Sequence, residues 1–108
     1  MDIQPKDVQR YVRPDGKIPF DQWFYSLRDR SGRNKITARL DRLVQGNLGN
    51  YRSVGEGVCE FKVDYGPGYR IYFGQVGSRI VLLLCGGDKS TQEKDIRTAI
   101  EYWKDYRS

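Results

Sequence analysis

The sequence predicts an α+β fold with the order strand, two helices, antiparallel meander and C-terminal helix. Residues 57–74 alternate apolar and polar side chains on both sides of a Gly-Pro-Gly turn, which is typical of a β-hairpin. Two stretches before the hairpin and one near the C-terminus repeat apolar residues at helical spacing. Residues 80–84 form an unbroken apolar run, which predicts a central strand covered on both faces.

The first half of the chain predicts one strand followed by two amphipathic helices. Residues 7–13 have the composition of a strand, and Pro14-Asp15-Gly16 marks a turn after it. We expect the first helix to begin at Pro19 and to end at Ser31-Gly32, where the second begins. The apolar stripes of the two helices are Phe20, Trp23, Phe24 and Leu27, and then Ile36, Leu40, Leu43 and Val44. The second helix is predicted to end at Gly46-Asn47, and the pair to lie antiparallel on the sheet.

The hairpin at residues 57–74 follows a segment that we expect to be irregular. If the apolar faces of its two strands coincide, Phe61 lies opposite Ile71, Lys62 lies opposite Arg70, and the loop has three or five residues. Two cations side by side on a sheet repel each other. The pairing therefore indicates either an anion site or a solvated strand face. We expect Lys62 and Arg70 on the more open face, opposite the two helices.

The C-terminal part of the chain predicts a strand that runs directly into a last helix. Ser90 and Glu93 have the spacing of a capping box at the start of this helix. Its apolar stripe consists of Ile96, Ala99, Ile100 and Trp103. Lys89 is thereby placed beside free backbone N–H groups, where anions are stabilised. The spacing of the glycines before Lys89 does not fit a P-loop.

Length and charge restrict the classes of function. A chain of 108 residues is expected to form one domain, residues 1–108, with a single modest core. The formal net charge of +5 and a pI near 9.3 favour a polyanionic or acidic partner. The second predicted helix carries a basic face that is either a solvated surface or a surface for nucleic-acid phosphates. Its members are Arg33, Lys35, Arg39 and Arg42.

The chain contains no histidine and two cysteines. Without histidine, Ser-His-Asp and Cys-His nucleophile systems and most zinc sites are excluded, so any catalysis relies on Lys, Arg, Tyr and carboxylates. Cys59 and Cys85 lie in apolar strand-like runs and are expected to be small core residues. The longest apolar run, residues 80–85, is far too short to span a membrane. We expect a cytoplasmic protein without a metal or cofactor.

Four segments of the chain, in the predicted element order, resemble the RelE/HigB superfamily and, within it, the addiction-module killer proteins. They are FDQWFYSLRD, RLDRLVQGNLGN, DYGPGYRIYF and LLLCGGDKSTQEKDI, and the similarity covers about residues 11–106. The resemblance implies a RelE-like, two-layer domain. Its antiparallel meander has three or four strands, and the first strand lies beside the last. It also implies the toxin of a type II toxin–antitoxin system. Many such toxins cut messenger RNA at the ribosome and are neutralised by a tightly bound antitoxin.

The resemblance also implies roles for individual residues. In toxins of this kind the ribose 2′-hydroxyl attacks the adjacent phosphate without histidine or metal. Arg70 matches the arginine of the family's G-Y-R segment and would stabilise charge on the phosphate. Lys62 matches a strand lysine that is a candidate general base, and Lys89 matches a basic residue that grips phosphate or leaving group. Asp64 is a further candidate base, and Glu60 a weaker one.

Departures from the superfamily pattern leave three functions open. Glu60, Asp64, Ser90 and Ile96 occupy positions where some relatives have basic residues or a tyrosine. The first function is a ribosome-dependent mRNA endoribonuclease. The second is a ParE-like toxin that inhibits DNA gyrase by binding, and the third is a degenerate relative that binds only its antitoxin. The expected antitoxin is a small helix-turn-helix DNA-binding protein, which covers either the Lys62/Arg70/Lys89 region or the basic helix.

Overall fold

A computed structural model describes residues 4–108, which form a five-stranded sheet and three α-helices. In chain order the elements are β1 (Asp7–Arg10), α1 (Pro19–Ser26), α2 (Arg30–Val44), β2 (Arg52–Gly55), β3 (Val58–Val63), β4 (Tyr69–Val76), β5 (Ile80–Asp88) and α3 (Gln92–Arg107), with a 3₁₀ turn at Lys89–Thr91 before α3. The predicted α+β class and the C-terminal helix are confirmed. No helix in this part of the chain has the length and apolar character needed to cross a membrane.

The strands lie in the order β1-β5-β4-β3-β2. Strands β2 to β5 form an antiparallel meander, and β1 runs parallel to β5 at the edge, so the first strand does lie beside the last. The meander has four strands because Arg52 and Ser53, in a segment expected to be irregular, pair with Glu60 and Cys59 of β3. The apolar run of β5 lies between β1 and β4 in the interior of the sheet, and its residues Val81 to Cys85 are buried.

Helices cover both faces of the sheet, so the two-layer prediction is wrong. Helices α1 and α2 pack against one core cluster, which includes Phe61, Ile71 and Phe73. Helix α3 packs against a second cluster, which includes Tyr72 and Leu84. Because successive strand residues point to opposite faces, the apolar residues of both parities in β4 and β5 require a cover on each side. Helix α3 supplies the second cover.

The boundary between α1 and α2 lies earlier than predicted. Helix α1 ends at Ser26, and Ser31-Gly32 lies inside α2 and does not break the helix. The carboxylate of Asp29 caps α2 by accepting a hydrogen bond of 2.9 Å from the backbone N–H of Gly32. A Cβ on Gly32 would lie 2.6 Å from Asp29 and 2.7 Å from Tyr69, so this glycine permits close packing within the first turn.

The start of α3 also differs from the prediction. Ser90 and Glu93 do not form a capping box. The side chain of Asp88 accepts hydrogen bonds from the backbone N–H of Ser90, at 2.8 Å, and from its hydroxyl, at 2.5 Å. The chain then makes the 3₁₀ turn, and α3 begins at Gln92 without a side-chain cap at Thr91. An Asx-type cap formed within the loop therefore replaces the S-x-x-E pattern.

A β-bulge in β5 sets which residues reach each face near its end. Tyr72 pairs with Cys85 and Phe73 pairs with Leu83, so Leu84 is an extra residue. Leu84 and Cys85 both belong to the cluster under α3. Beyond the bulge, Gly86 faces Trp23 of α1 and Gly87 faces Asp95 of α3. The bulge thereby exchanges the faces to which successive residues of β5 point, just before Lys89.

Candidate functional site

Lys62 and Arg70 are paired directly across β3 and β4, as the hairpin parity predicts. Val63 pairs with Tyr69 and Phe61 with Ile71, and residues 64–68 form the five-residue loop. On its other side Arg70 pairs with Gly87 of β5, which has no side chain. Arg70 is therefore flanked on the sheet by a second cation and by a glycine, and neither neighbour neutralises it.

The side chains of the three predicted cations, Lys62, Arg70 and Lys89, all approach Gly68. A Cβ at Gly68 would lie 3.0 Å from Arg70 Nη1 and 3.9 Å from both Lys62 Cε and Lys89 Cβ. The residue has φ +78°, a backbone conformation that favours glycine, and its carbonyl accepts a hydrogen bond of 2.6 Å from Arg70 Nη1. The Gly-Pro-Gly loop, the end of β3 and the start of the 3₁₀ turn thus bring Lys62, Arg70 and Lys89 together.

The guanidinium group of Arg70 is buried and incompletely hydrogen-bonded. Arg70 lies on the face opposite α1 and α2, as predicted, but that face is not open at this position, since the residue is only 7% exposed. Within residues 4–108 its Nε has no hydrogen-bond partner. A buried charged donor without a partner is costly, and an anion bound there would supply an acceptor. Lys62, by contrast, has a half-exposed side chain.

An open groove of about 470 Å³ lies beside Arg70. Its volume falls within the range of roughly 300–1,000 Å³ that is common for ligand sites. The residues that line this Arg70 groove come from the β2, β3 and β4 strands, from the segment before β2 and from the start of α3. They are Asn50, Tyr51, Arg52, Glu60, Lys62, Arg70 and Gln92.

Glu60 is a buried carboxylate within the Arg70 groove, exposed by only 4%. Its two oxygens accept hydrogen bonds of 2.9 Å from Arg52 Nε and from Gln92 Nε2. Burial alone raises the pKa of Glu60, but the hydrogen bonds from Arg52 and Gln92 outweigh it and the pKa falls below its ordinary value. Burial and the Glu60 carboxylate raise the pKa of the neighbouring Tyr72 phenol. Glu60 is therefore a fixed negative charge that orients the wall of the groove.

Asp64 and Lys89 are not among the residues that line the Arg70 groove. The Asp64 side chain is 91% exposed, and its Oδ1 is 3.5 Å from Lys62 Nζ. Lys89 is exposed at the first position of the 3₁₀ turn. It also lines a hollow of about 520 Å³ along the start of α3 with Lys94 and Arg97. All four predicted catalytic residues thus lie around the hairpin loop, with Arg70 innermost and Asp64 outermost.

Three of the four basic residues predicted on α2 line a second groove, of about 310 Å³, between α2 and the end of β3. This α2 groove contains Lys35, Arg39 and Arg42, together with Ala38, Lys62, Val63, Asp64 and Tyr65. Arg33 is not part of it, since its guanidinium donates to the backbone carbonyl of Leu27. Lys62 lines both grooves, so the two adjoin at this side chain.

Arg39 differs from its basic neighbours because its guanidinium packs within the fold, where Nη2 is hydrogen-bonded and Nε is buried without a partner among residues 4–108. Its Nη2 donates to the carbonyls of Leu48 and Asn50, each at 3.1 Å, and its Cζ lies 5.0 Å from the centre of the Phe61 ring. Burial, with Arg42 nearby, lowers the pKa of Arg39. Arg39 thus anchors the loop before β2, and Lys35 and Arg42 remain the available cations of the α2 groove.

Sequence reasoning missed most of the Arg70 groove wall. Arg52 and Tyr51 were not assigned to any site because the strand at Arg52–Gly55 was not predicted. Gln92 was not assigned to the site because the last helix was expected to start at Ser90. Glu60 shares the parity of Lys62 in β3, and this alternation is the one local signal that places it on the site face.

Comparison with known proteins identifies a relative. No family model matches the chain. A Haemophilus influenzae protein, described as an uncharacterized protein, is 46% identical to it over 82 residues, which are 76% of this chain and 83% of that protein. Identity at this level over most of both chains shows common descent and a shared fold. The chain belongs to one family with this Haemophilus influenzae protein.

Proposed function

We propose that the protein is a toxin of a type II toxin–antitoxin system, related to the RelE/HigB superfamily, and that it acts as a metal-independent mRNA endoribonuclease in the cytoplasm. The observation that carries the proposal is the convergence of Lys62, Arg70 and Lys89 around Gly68. Three cationic side chains on adjoining elements repel each other, and a shared anion would relieve the repulsion. A phosphodiester between two nucleotides has the charge and the oxygens to bind all three.

The proposed reaction is transfer of the phosphate to the neighbouring 2′-hydroxyl. The 2′-oxygen attacks phosphorus, the bond to the 5′-oxygen breaks, and a 2′,3′-cyclic phosphate and a free 5′-hydroxyl result. The 2′-hydroxyl proton passes to Asp64, whose carboxylate is exposed and, among residues 4–108, contacts only Lys62 as an ion-pair partner, whereas both oxygens of Glu60 are already engaged. The leaving 5′-oxygen takes its proton from Lys89.

Arg70 is the group best suited to stabilise the transition state. Its planar donors suit two phosphate oxygens at once, and its position between the sheet and the Gly68 carbonyl fixes its orientation before substrate binds. Loss of one such preorganised donor typically lowers kcat by about 10²–10³. Lys62 binds the same phosphate from the exposed side, where the two grooves adjoin.

The partners follow from the same proposal. The substrate is mRNA presented by the ribosome, and the inhibitor is a cognate antitoxin, a small helix-turn-helix DNA-binding protein with an acidic segment. Such a segment would cover the Lys62/Arg70/Lys89 cluster or the α2 groove. Either position blocks the path of RNA, because the two grooves share Lys62.

Pulse induction in growing cells tests the proposal. The wild-type protein should arrest growth, stop protein synthesis and fragment mRNA within minutes. Arg70→Ala should remain folded and lose all three effects. Arg79→Ala is the matched control, because it removes the same charge from the turn at the opposite end of β5 and should stay fully toxic.

Other outcomes decide between the alternatives. Growth arrest with a DNA-damage response and intact mRNA would identify a ParE-like gyrase inhibitor. Absence of any toxicity, combined with tight binding to the product of a neighbouring gene, would identify a degenerate relative. Full toxicity of Arg70→Ala would move the chemistry away from the hairpin.

A further inference from the structure

We propose that Arg52 recognises a guanine next to the scissile phosphate, by donating hydrogen bonds from its two terminal nitrogens, Nη1 and Nη2, to O6 and N7 of the base. This inference rests on the proposed function, which supplies the RNA and the phosphate beside Arg70. It adds a specificity-determining residue for the nucleotide whose base enters the Arg70 groove. Glu60 and Gln92 act as positioning residues, because they hold Arg52.

The first support is the arrangement of the groove as two adjacent cross-strand rows on the α3 face of the sheet. Lys62 pairs with Arg70 in one row, and Arg52 pairs with Glu60 in the other. Glu60 and Lys62 are two residues apart on β3, so the rows lie about 7 Å apart along the strand. All four residues line the groove. A nucleotide whose phosphate binds at the first row therefore has its base, or that of its neighbour, within reach of the second.

The second support is the difference in charge between the two rows. The Lys62–Arg70 row consists of two cations, which suits a phosphate. In the other row Arg52 Nε lies 2.9 Å from Glu60 Oε1, and Glu60 is only 4% exposed. The charge of Arg52 is thus balanced by a buried carboxylate, and a phosphate gains less there than beside Arg70. A neutral group with hydrogen-bond acceptors, such as the edge of a base, still gains the donors of Arg52.

The third support is the way in which Arg52 is held. Its Nε donates to one oxygen of Glu60, and Gln92 Nε2 donates to the other, each at 2.9 Å. Residues of β2, β3 and α3 thereby restrict the orientation of one guanidinium group. The Arg52 side chain is 61% exposed, and within residues 4–108 its Nη1 and Nη2 make no hydrogen bond. Two donors on a planar group are therefore available to a ligand in the groove.

A pair of neighbouring donors discriminates among the bases. Guanine presents two acceptors side by side, O6 and N7, whereas adenine and cytosine present an amino group on the same edge. Unpaired bases of single-stranded RNA expose this edge to side chains. Glu60 does not serve as the acceptor for an amino group, because Arg52 and Gln92 already occupy both of its oxygens. Arg52 thus offers donors, and guanine is the base that matches them.

Binding of fluorescent 2′-O-methyl oligoribonucleotides at low salt tests the assignment. Each probe has about six nucleotides, all uridines except for one central guanine, inosine, 7-deazaguanine, adenine or uridine. The 2′-O-methyl groups remove the attacking hydroxyl, so binding is measured without cleavage. The wild-type protein should bind the guanine and inosine probes, which both carry O6 and N7, about 5- to 20-fold more tightly than the uridine probe. Most of this preference should be lost with 7-deazaguanine, which lacks N7, and all of it with adenine.

Arg52→Lys separates recognition of the base from attraction by charge, since lysine keeps the charge but lacks the planar group with two donors. The ratio of guanine-probe to uridine-probe affinity should fall to about one in this variant. Because both affinities belong to the same protein, a loss of folded material does not change the ratio. Arg10→Lys is the matched control and should keep the wild-type ratio. Arg10 Nε also donates to a carboxylate, that of Asp21 at 2.7 Å, but Arg10 lies on β1 and does not line the Arg70 groove.

The positioning role of Glu60 has a readout that a merely structural role would not change. Glu60→Ala should lower the ratio and make the binding of every probe more dependent on salt, because the charge of Arg52 is then free to attract a phosphate. Glu60→Gln retains an oxygen that accepts from Arg52 Nε and should restore part of the ratio. A wild-type ratio in Glu60→Ala would show that Arg52 is not positioned by Glu60.

Four results would overturn the assignment. They are no binding of any probe by the wild-type protein, no preference for guanine, an unchanged ratio in Arg52→Lys, and a preference for adenine, which would identify Asn50 as the recognising residue of the groove. The failure of the proposed function is distinguishable. If guanine is preferred through Arg52 but cellular mRNA stays intact, the base site is correct and the nuclease proposal is wrong. If mRNA is cut in an Arg70-dependent way but the probes show no preference, the reverse holds.

Discussion

Lys62 and Arg70 are direct cross-strand neighbours, and of the two only Lys62 forms an ion pair within residues 4–108, with Asp64 at 3.5 Å. Like charges placed opposite each other cost roughly 0.2–1 kcal/mol, and the unpartnered Nε of Arg70 adds a desolvation cost. The free protein therefore carries a local instability at the place where the proposed phosphate binds.

We expect Arg70→Met to leave the free energy of unfolding within about 1 kcal/mol of wild type, since removal of one cation and of the unpartnered Nε offsets the lost hydrogen bond to the Gly68 carbonyl and most of the side-chain volume is kept. Urea denaturation measures this change. Inorganic phosphate should stabilise the wild-type protein more than the variant, because only the folded wild-type site binds it well. Arg79→Met serves as the control and should change little. A loss of more than about 2 kcal/mol in Arg70→Met would show that the guanidinium is satisfied within the fold.

The phenol of Tyr69 predicts a loss of stability at alkaline pH. Burial and the hydrogen bond of 2.8 Å that it donates to Asp29 raise the pKa of Tyr69 from 10 to about 12. The pKa of Tyr69 is higher in the folded state than in the unfolded state. The neutral, hydrogen-bonded phenol therefore contributes a stability that is complete below pH 10 and is lost as the pH rises through 12.

Tyr69→Phe should cost about 1.5–3 kcal/mol at neutral pH, the usual range for a hydrogen bond to a charged group. The difference in unfolding free energy between wild type and variant should then shrink as the pH rises from 10 to 12. Tyr11 donates in the same way to Asp105, and its pKa is also raised to about 12, so the variant retains part of the alkaline decline. A difference that is constant with pH would contradict this assignment.

Gly86 is predicted to be intolerant of even one added methyl group. A Cβ at this position would lie 2.2 Å from Trp23 Cε3, so Gly86→Ala forces the indole ring to move. Overpacking of this kind costs about 1–3 kcal/mol. Thermal or urea unfolding of Gly86→Ala measures the cost, which should be largely removed in the background of Trp23→Leu, where the ring is absent. Equal costs in both backgrounds would show that the backbone, and not Trp23, is responsible.

Arg39 and Arg42 should respond differently to removal, although both are basic residues of α2. Arg39→Ala loses two hydrogen bonds to the loop before β2 and the contact with Phe61, and should cost about 2–3 kcal/mol. Arg42→Ala removes an exposed side chain and should stay within about 0.5 kcal/mol of wild type. Hydrogen exchange should show faster opening of residues 46–50 in Arg39→Ala only. Similar stabilities of the two variants would mean that Arg39 is a surface residue.

These differences bear on how the α2 groove is tested for binding. Charge reversal at Arg39 would disturb the fold as well as any partner. Charge reversal at Lys35 and Arg42 changes the same groove without breaking a contact to the backbone, and it is the better probe of antitoxin or RNA binding.

The sequence by itself determined the pairing of Lys62 with Arg70. Alternation in two strands joined by a short loop leaves only registers in which the apolar faces coincide, because a slip of one residue would place the apolar side chains of the two strands on opposite faces of the sheet. The apolar stripes of α1, α2 and α3 could be predicted for the same reason, because each helix buries one face. Local periodicity sufficed wherever a single buried face decides the structure.

Only the tertiary structure decided how deep the site is and what surrounds it. The burial of Arg70 depends on the Gly68 carbonyl and on the position of Lys89, and the latter follows a bulge at Leu84 that no local pattern marks. The strand β2 is short and polar, and it exists because β3 offers it an edge. The start of α2 was set by Asp29, whose carboxylate also holds Tyr69 from a distant strand. Such features arise from contacts between residues far apart in the chain, so spacing within one segment does not reveal them.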